Sequence, residues 1–187
     1  MPVLIAHLHP DIQIIGIELQ EQLAAHARQN VLKNKFEHRI EIIQGDIGDI
    51  TPAQTDGLVD IIISNPPYMK RGQGRLNPNK GKALARHEIS LDIRMACQRA
   101  KELLTDSGEV YFIFPFHRQM DLINALEAND FHPTSILRIH GVQKKPPIRI
   151  LIRATKKIQR KCILKPPIYL QNESAPFKKT IHLVFNP

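Results

Sequence analysis

Cysteine is scarce in this sequence: only Cys97 and Cys162 occur among 187 residues. They stand far apart and outside any metal-ligand or redox spacing. That excludes a disulfide scaffold and a cysteine-built metal site, and it fits a reducing cytoplasm. Long apolar runs are missing too. None approaches the ~20 residues that a membrane helix needs, and the opening MPVLIAHLHP is too short and wrongly flanked for a signal peptide. The nine histidines are scattered singly, so neither a metal nor a membrane is an expected partner. Internal repeats and low-complexity linkers are absent as well. Finally, one part of the chain is short of positive charge. Residues 1–60 carry four Lys/Arg against nine Asp/Glu, and residues 61–187 carry 22 against nine, within a formal net of +8. Such asymmetry points to a polyanion met by the second part, nucleic acid first, with simple solubility as the alternative.

What is present suffices for one sizeable core: 42% of the residues are hydrophobic, which predicts a single globular domain. Val3 to Leu8 reads as the end of a helix stopped by His-Pro. Ile12 to Leu19 is a short apolar run ending in an acid, as a buried parallel strand would. Glu21 to Leu32 has helical spacing, Arg39 to Asp46 alternates into a second strand, and Leu58 to Ser64 is a third. After a Gly- and Lys-rich loop from Met69 to Lys82, Ile89 to Leu104 predicts a helix. Gly108 to Pro115 predicts a fourth strand, Met120 to Asn129 another helix, and SILRIH and IRILIRA two closing strands that form an antiparallel edge hairpin. Strand alternating with helix predicts an α/β, Rossmann-like, doubly wound and mostly parallel sheet. The main domain is set at 1–155. A basic extension, 156–187, is expected to pack on it, with weak strand signals at Ile163 to Leu164 and Ile181 to Phe185.

In open sheets of this kind ligands bind beyond the carboxyl ends of the strands. Three polar features fall there. Glu18 ends the first readable strand, where a carboxylate can accept both hydrogens of a ribose diol or cap the next helix. Gly45-Asp46 ends the second; it suits an acceptor for an adenine amino group, and equally ordinary turn chemistry. Asn65-Pro66-Pro67-Tyr68 ends the third. Two prolines remove backbone donors and fix φ, which holds Asn65 extended. The Asn65 side-chain oxygen and the Pro66 carbonyl could then accept both hydrogens of an aromatic amine, while Tyr68 offers a stacking face worth ~1–3 kcal/mol. The competing reading is a strand-ending Pro-Pro turn with Tyr68 in the core.

SNPPY after an apolar strand resembles the amino-methylating signature of class I S-adenosylmethionine-dependent methyltransferases. Within them, ARHE (Ala85 to Glu88) opening a helix, and KKPPIRILI (Lys144 to Ile152), resemble the bacterial tRNA (adenine-N6)-methyltransferases that act on the anticodon loop of valine tRNA. The likeness runs from about Val3 to Arg153, and more faintly through PPIYLQNESAPF. NPPY alone implies amino or amide methylation, so a glutamine or DNA-adenine acceptor stands as the alternative. The resemblance implies S-adenosylmethionine as cofactor and tRNA as partner. It assigns Glu18, Leu19, Asp46, Ile47 and Asn65 to the cofactor, and Asn65, Pro66, Pro67 and Tyr68 to the target base. Arg86 and His87 would lie near the site, and Lys144, Lys145 and Arg149 on its basic rim. Lys70, Arg71 and Arg75, in a loop with three glycines, could grip an RNA backbone.

One family element is missing. These enzymes open with a strand and a D-x-G-x-G-x-G turn, yet here no glycine precedes Gly16. The absent strand would stand between IQIIGIEL and LVDIIIS and would leave two apolar strand edges without a partner. The expectation is a piece of a longer reading frame begun at an internal methionine. A catalytically inactive RNA-binding remnant, or a gap filled by another segment or subunit, are the other readings.

Overall fold

The computed structural model describes residues 1–66, 93–158 and 161–171. The chain divides into two compact units, Met1–Leu58 and Val59–Pro187. In the first, helix α1 (Pro2–Leu8) has proline at its first position and ends at His9, whose extended backbone (φ −129°, ψ 97°) is what a following proline demands. Strand β1 (Ile14–Glu18) and strand β2 (Ile40–Gln44) pair in parallel, Gly16 opposite Ile42 and Glu18 opposite Gln44. Helix α2 (Glu21–Lys33) joins them, with an acid in its first turn and a base in its last, each favourable to the helix dipole. It turns Ala24 and Val31 inward onto Ala6, Ile40 and Ile42. Two guanidinium groups tie this small core together. Arg28 donates from Nε and Nη2 to the Ile42 carbonyl. Arg39 donates to the carbonyls of Ala6, His9 and Pro10, capping the end of α1.

The second unit holds a six-stranded sheet in the order β3-β4-β6-β5-β7, with β8 also on β5. Its strands are β3 (Val59–Ser64), β4 (Leu104–Pro115), β5 (His132–His140), β6 (Pro147–Thr155), β7 (Ile163–Leu164) and β8 (Ile168–Tyr169). β3 and β4 are parallel, β6 runs antiparallel to both β4 and β5, and β7 and β8 run parallel to β5. Alternation along β4 turns Val110, Phe112 and Phe114 to one face, where Ile150, Ile152 and Ala154 of β6 meet them. Helix α3 (Ile93–Leu103) covers that face with Ile93, Ala96, Cys97 and Ala100, and helix α4 (Gln119–Glu127) with Leu122, Ala125 and Leu126. Each fully buried Phe, Leu or Ile there contributes ~1.5–3 kcal/mol.

Both sheets belong to an α/β fold, the larger one mixed in direction: β1 pairs only with β2 and β3 only with β4 among the described residues. Ile89 to Asp92, the expected start of α3, and Ile181 to Phe185 lie outside those residues. Two details differ from expectation. β4 starts at Leu104 rather than Gly108, because Thr105-Asp106-Ser107-Gly108, which reads as a turn, forms a bulge between the pairs Val59–Leu104 and Ile61–Glu109. Gly108 is needed there, since a Cβ would stand 2.8 Å from Leu104 Cδ2 and 3.0 Å from the Thr105 carbonyl. The β5–β6 hairpin, in turn, has β7 and β8 laid along its outer side.

Candidate functional site

In the first unit, the carboxyl ends of β1 and β2 gather Glu18, Leu19, Asp46 and Ile47, all half-buried. The Gly45 amide donates to the Glu18 carbonyl at 3.0 Å, and Gln44 Nε2 donates to the Leu19 carbonyl at 3.0 Å, which closes the two strand ends against each other. Glu18 Oε1 accepts from the Gln20 amide at 3.0 Å, just ahead of α2. Asp46 Oδ1 accepts from the Gly48 amide at 2.8 Å and caps the 3-10 turn Ile47–Asp49. Each carboxylate is thus held through one oxygen, and its other oxygen has no hydrogen-bond partner among the described residues. Two oriented acceptors on neighbouring strand ends suit a diol and an aromatic amine.

In the second unit, β3 ends at Ser64 opposite Phe112. Asn65 follows exposed and Pro66 buried. Since β3, β4 and β5 point the same way and β6 the opposite, the β5–β6 turn lies at the same end of the sheet as Asn65. Lys144 (φ 66°) and Lys145 stand exposed in that turn, and half-buried Arg149, the third residue of β6, stands opposite Pro115 of β4. Arg149 is two strands from Asn65, a lateral distance of roughly 10 Å. The structure therefore brings Asn65, Pro66, Lys144, Lys145 and Arg149 to one sheet end. Pro67, Tyr68, Lys70, Arg71, Arg75, Arg86 and His87 lie outside the described residues.

Sequence reasoning missed two groupings. Towards the other end of β4, the Glu109 carboxylate accepts from Tyr111 Oη at 2.8 Å and from Arg153 Nε at 2.9 Å, with Arg153 Nη2 on its second oxygen. Burial pushes the Glu109 carboxyl up, but hydrogen bonds from Arg153 and Tyr111 outweigh it and hold the group below its ordinary value. Burial, then the bond to Glu109, push the Tyr111 phenol up to about 12. The second grouping is His140 with Tyr169, beside the Lys144–Lys145 turn. Only the register of β4 with β6, and of β5 with β8, could have revealed either. A cavity of about 220 Å³ lies between α1, α2 and β2, lined by Met1, Pro2, Val3, Ala27 and Asn30 among others, and includes no candidate residue. Among the described residues no cluster of three or more His, Cys, Asp or Glu could hold a metal, and no helix is long and apolar enough to cross a membrane.

Residues 4–141 match the UPF0020 family model, described as RMKL-like, methyltransferase domain. A tRNA1(Val) (adenine(37)-N6)-methyltransferase of Pedobacter heparinus is 27% identical over 80% of this chain and 62% of its own. One of Aliivibrio fischeri is 32% identical over 79% and 61%. The chain thus spans about three-fifths of the length of these curated relatives. Among solved structures, a predicted O-methyltransferase from Agrobacterium tumefaciens superposes with a TM-score of 0.70 at 19% identity, covering 97% of this chain and 81% of the other. At that identity the likeness shows the fold alone, and that fold is the Rossmann-like one of class I methyltransferases.

Proposed function

The chain belongs to the RMKL-like methyltransferase-domain family, and from that premise we propose that it moves a methyl group from S-adenosylmethionine to the exocyclic N6 of an adenine in the anticodon loop of valine tRNA. The activity named for the curated relatives supports the acceptor. The charge of residues 59–187, 22 Lys/Arg against ten Asp/Glu, favours RNA over a protein glutamine. What carries the reading is Asn65 at the end of β3, exposed, at the same sheet end as Lys144, Lys145 and Arg149.

Glu18 and Asp46 suit the cofactor, since among the described residues each keeps one carboxylate oxygen uncommitted: Glu18 for the ribose diol, and Asp46 with Ile47 and Leu19 for the adenine side. S-adenosylmethionine, when bound, supplies a methyl carbon on a positively charged sulfur that leaves with the bonding electron pair. Asn65 Oδ1 and the Pro66 carbonyl accept the two hydrogens of the target amine. That draws its lone pair out of the ring and aims it along the line of attack, an effect of alignment above all. The proton departs after the nitrogen has been alkylated and become acidic, so no side chain of shifted pKa is required. Pro67 stiffens the strand end and Tyr68 supplies a stacking face. Lys70, Arg71, Arg75, Lys144, Lys145 and Arg149 serve the RNA backbone, and Arg86 and His87 the substrate near the site. Residues 1–155 act as the methyltransferase domain and 156–187 as an extension packed on it, which the pairing of β7 and β8 with β5 supports. The reaction belongs in the cytoplasm, with its tRNA substrate.

Asn65→Ala tests this directly. Transfer to tRNA should vanish while RNA affinity stays intact, because an acceptor is removed and no charge; equal loss of both rejects the role. Heat released on titrating S-adenosylmethionine into the 187-residue chain is the second measurement. Silence there, with tRNA binding retained, would instead favour an RNA-binding remnant.

A further inference from the structure

The end of β5 carries a pair of rings that the assigned roles leave unused. β8 lies parallel to β5 with Tyr169 opposite His140. The pairing continues as the Leu170 amide donates to the His140 carbonyl at 2.9 Å and the Gln171 amide to that of Gly141 at 3.1 Å. The rings stand 4.9 Å apart between centroids, tilted by 36°, within the range of a favourable aromatic pair. His140 Nδ1 lies 2.7 Å from the Lys145 carbonyl oxygen. A carbonyl only accepts, so Nδ1 carries the hydrogen and Nε2 is the ring's second polar position. The same bond ties the imidazole to the turn in which Lys144 and Lys145 stand exposed, while His140 and Tyr169 are both half-buried residues.

We propose that His140 and Tyr169 form a stacking platform for an unpaired base flanking the target adenine, with Lys144 and Lys145 on its phosphates. The proposal rests on RNA being the substrate, as read above. Cations beside a part-exposed ring are the combination by which single-stranded nucleic acid is held: charge tracks the backbone and a π-face takes any base. Direction supports it too. β3, β4, β5 and β8 all run the same way, so Tyr169 lies at the sheet end that carries Asn65. Counting three strand spacings from β3 to β5 and a fourth to β8 separates them laterally by ~14–19 Å. That exceeds the reach of a single base, so the platform serves a neighbour of the target.

The test uses the full 187-residue chain, a labelled valine-tRNA anticodon stem–loop and a fully paired RNA of equal length, read by fluorescence anisotropy. Tyr169→Leu keeps apolar bulk and loses the ring face, whereas Tyr169→Phe keeps the face. Tyr169→Leu should weaken stem–loop binding about 5- to 150-fold, the loss expected for one stacked base, and Tyr169→Phe by no more than about twofold. Affinity for the paired RNA should not change in either variant. Unchanged stem–loop binding in Tyr169→Leu, or equal losses on both RNAs, overturns the platform, as does a stem–loop that the unsubstituted chain does not bind. Methyl transfer to the same stem–loop is measured alongside. No transfer with the Leu–Phe difference intact overturns the enzymatic reading alone; transfer without that difference overturns the platform alone.

Discussion

The two units keep their order by different means. The core cluster of Met1–Leu58 holds five buried apolar residues, none aromatic, packed with a two-stranded parallel sheet. Every residue of β1 is only half-buried, whereas parallel strands are ordinarily covered on both faces. Much of its cohesion comes from Arg28 and Arg39 reaching backbone carbonyls. Among the described residues of Val59–Pro187, the core cluster holds fifteen, Phe112, Phe114 and Phe131 among them, between a six-stranded sheet and two helices. A unit of about 60 residues is marginal on area alone. The contrast teaches that Glu18 and Asp46 stand on the softer element and Asn65 with the basic turn on the firmer one. Positioning of Glu18 and Asp46 therefore rests on hydrogen bonds, and positioning of Asn65 and the basic turn on packing.

The widest test of this contrast is to hollow each core. Phe112→Ala should cost ~3–5 kcal/mol in the second unit, and Val31→Ala about 1.5 kcal/mol, two buried methyl groups' worth, in the first. Native-state hydrogen exchange reads the two separately. Equal protection of β1–β2 and β4–β6 amides in the unsubstituted chain would dissolve the distinction. A smaller effect sharpens it through glycine. An added Cβ at Gly16 meets Ile42 Cδ1 at 2.8 Å and Pro2 Cγ at 3.3 Å, both side-chain tips able to yield, while at Gly108 it meets the Thr105 carbonyl at 3.0 Å, which is backbone. Both alanine variants should destabilise within ~1–3 kcal/mol, with Gly108→Ala the costlier. Denaturant midpoints in the reverse order would show the first unit to be the less yielding.

The smallest effect is a pH dependence in the second unit. Glu109's carboxyl is held low in the folded protein, so its contribution is present above the unfolded value near 4.5 and fades as pH falls through the folded one. Tyr111's phenol is raised from 10.0 to about 12, so its contribution is complete below pH 10 and is lost as pH climbs towards 12. For a part-exposed ion pair each limb should amount to about 1 kcal/mol or less. Thermal melting of Glu109→Gln from pH 3 to pH 12 should lack the acid limb; a limb of unchanged size assigns it elsewhere.

Much of this architecture was legible beforehand. β1, β2, β3 and β6 announce themselves as short runs rich in isoleucine, and α2 and α3 as stripes at helical spacing, because periodicity reflects which face is buried. Polar residues closing such runs marked Glu18, Asp46 and Asn65 as strand ends. Long-range pairing stayed hidden. The start of β4 is written in turn-forming residues and is extended only because β3 offers it a partner. β8 is two residues long and exists through β5. Glu109, Tyr111 and Arg153 come together by cross-strand register, which one strand's pattern does not encode. That Glu18 and Asp46 would each spend an oxygen on nearby amides was foreseeable as chemistry but not as geometry.

The outer side of β5 has a further consequence. Pro166 and Pro167 sit between β7 and β8 and offer no amide hydrogens to an incoming chain, so that flank of the second unit is blunted against templated growth. The flank along β3 has no such guard among the described residues, and Ile61 stands 56% exposed there. If this protein polymerises through its six-stranded sheet, fibrils would extend from the β3 border, and a lysine at Ile61 would be the economical place to stop them.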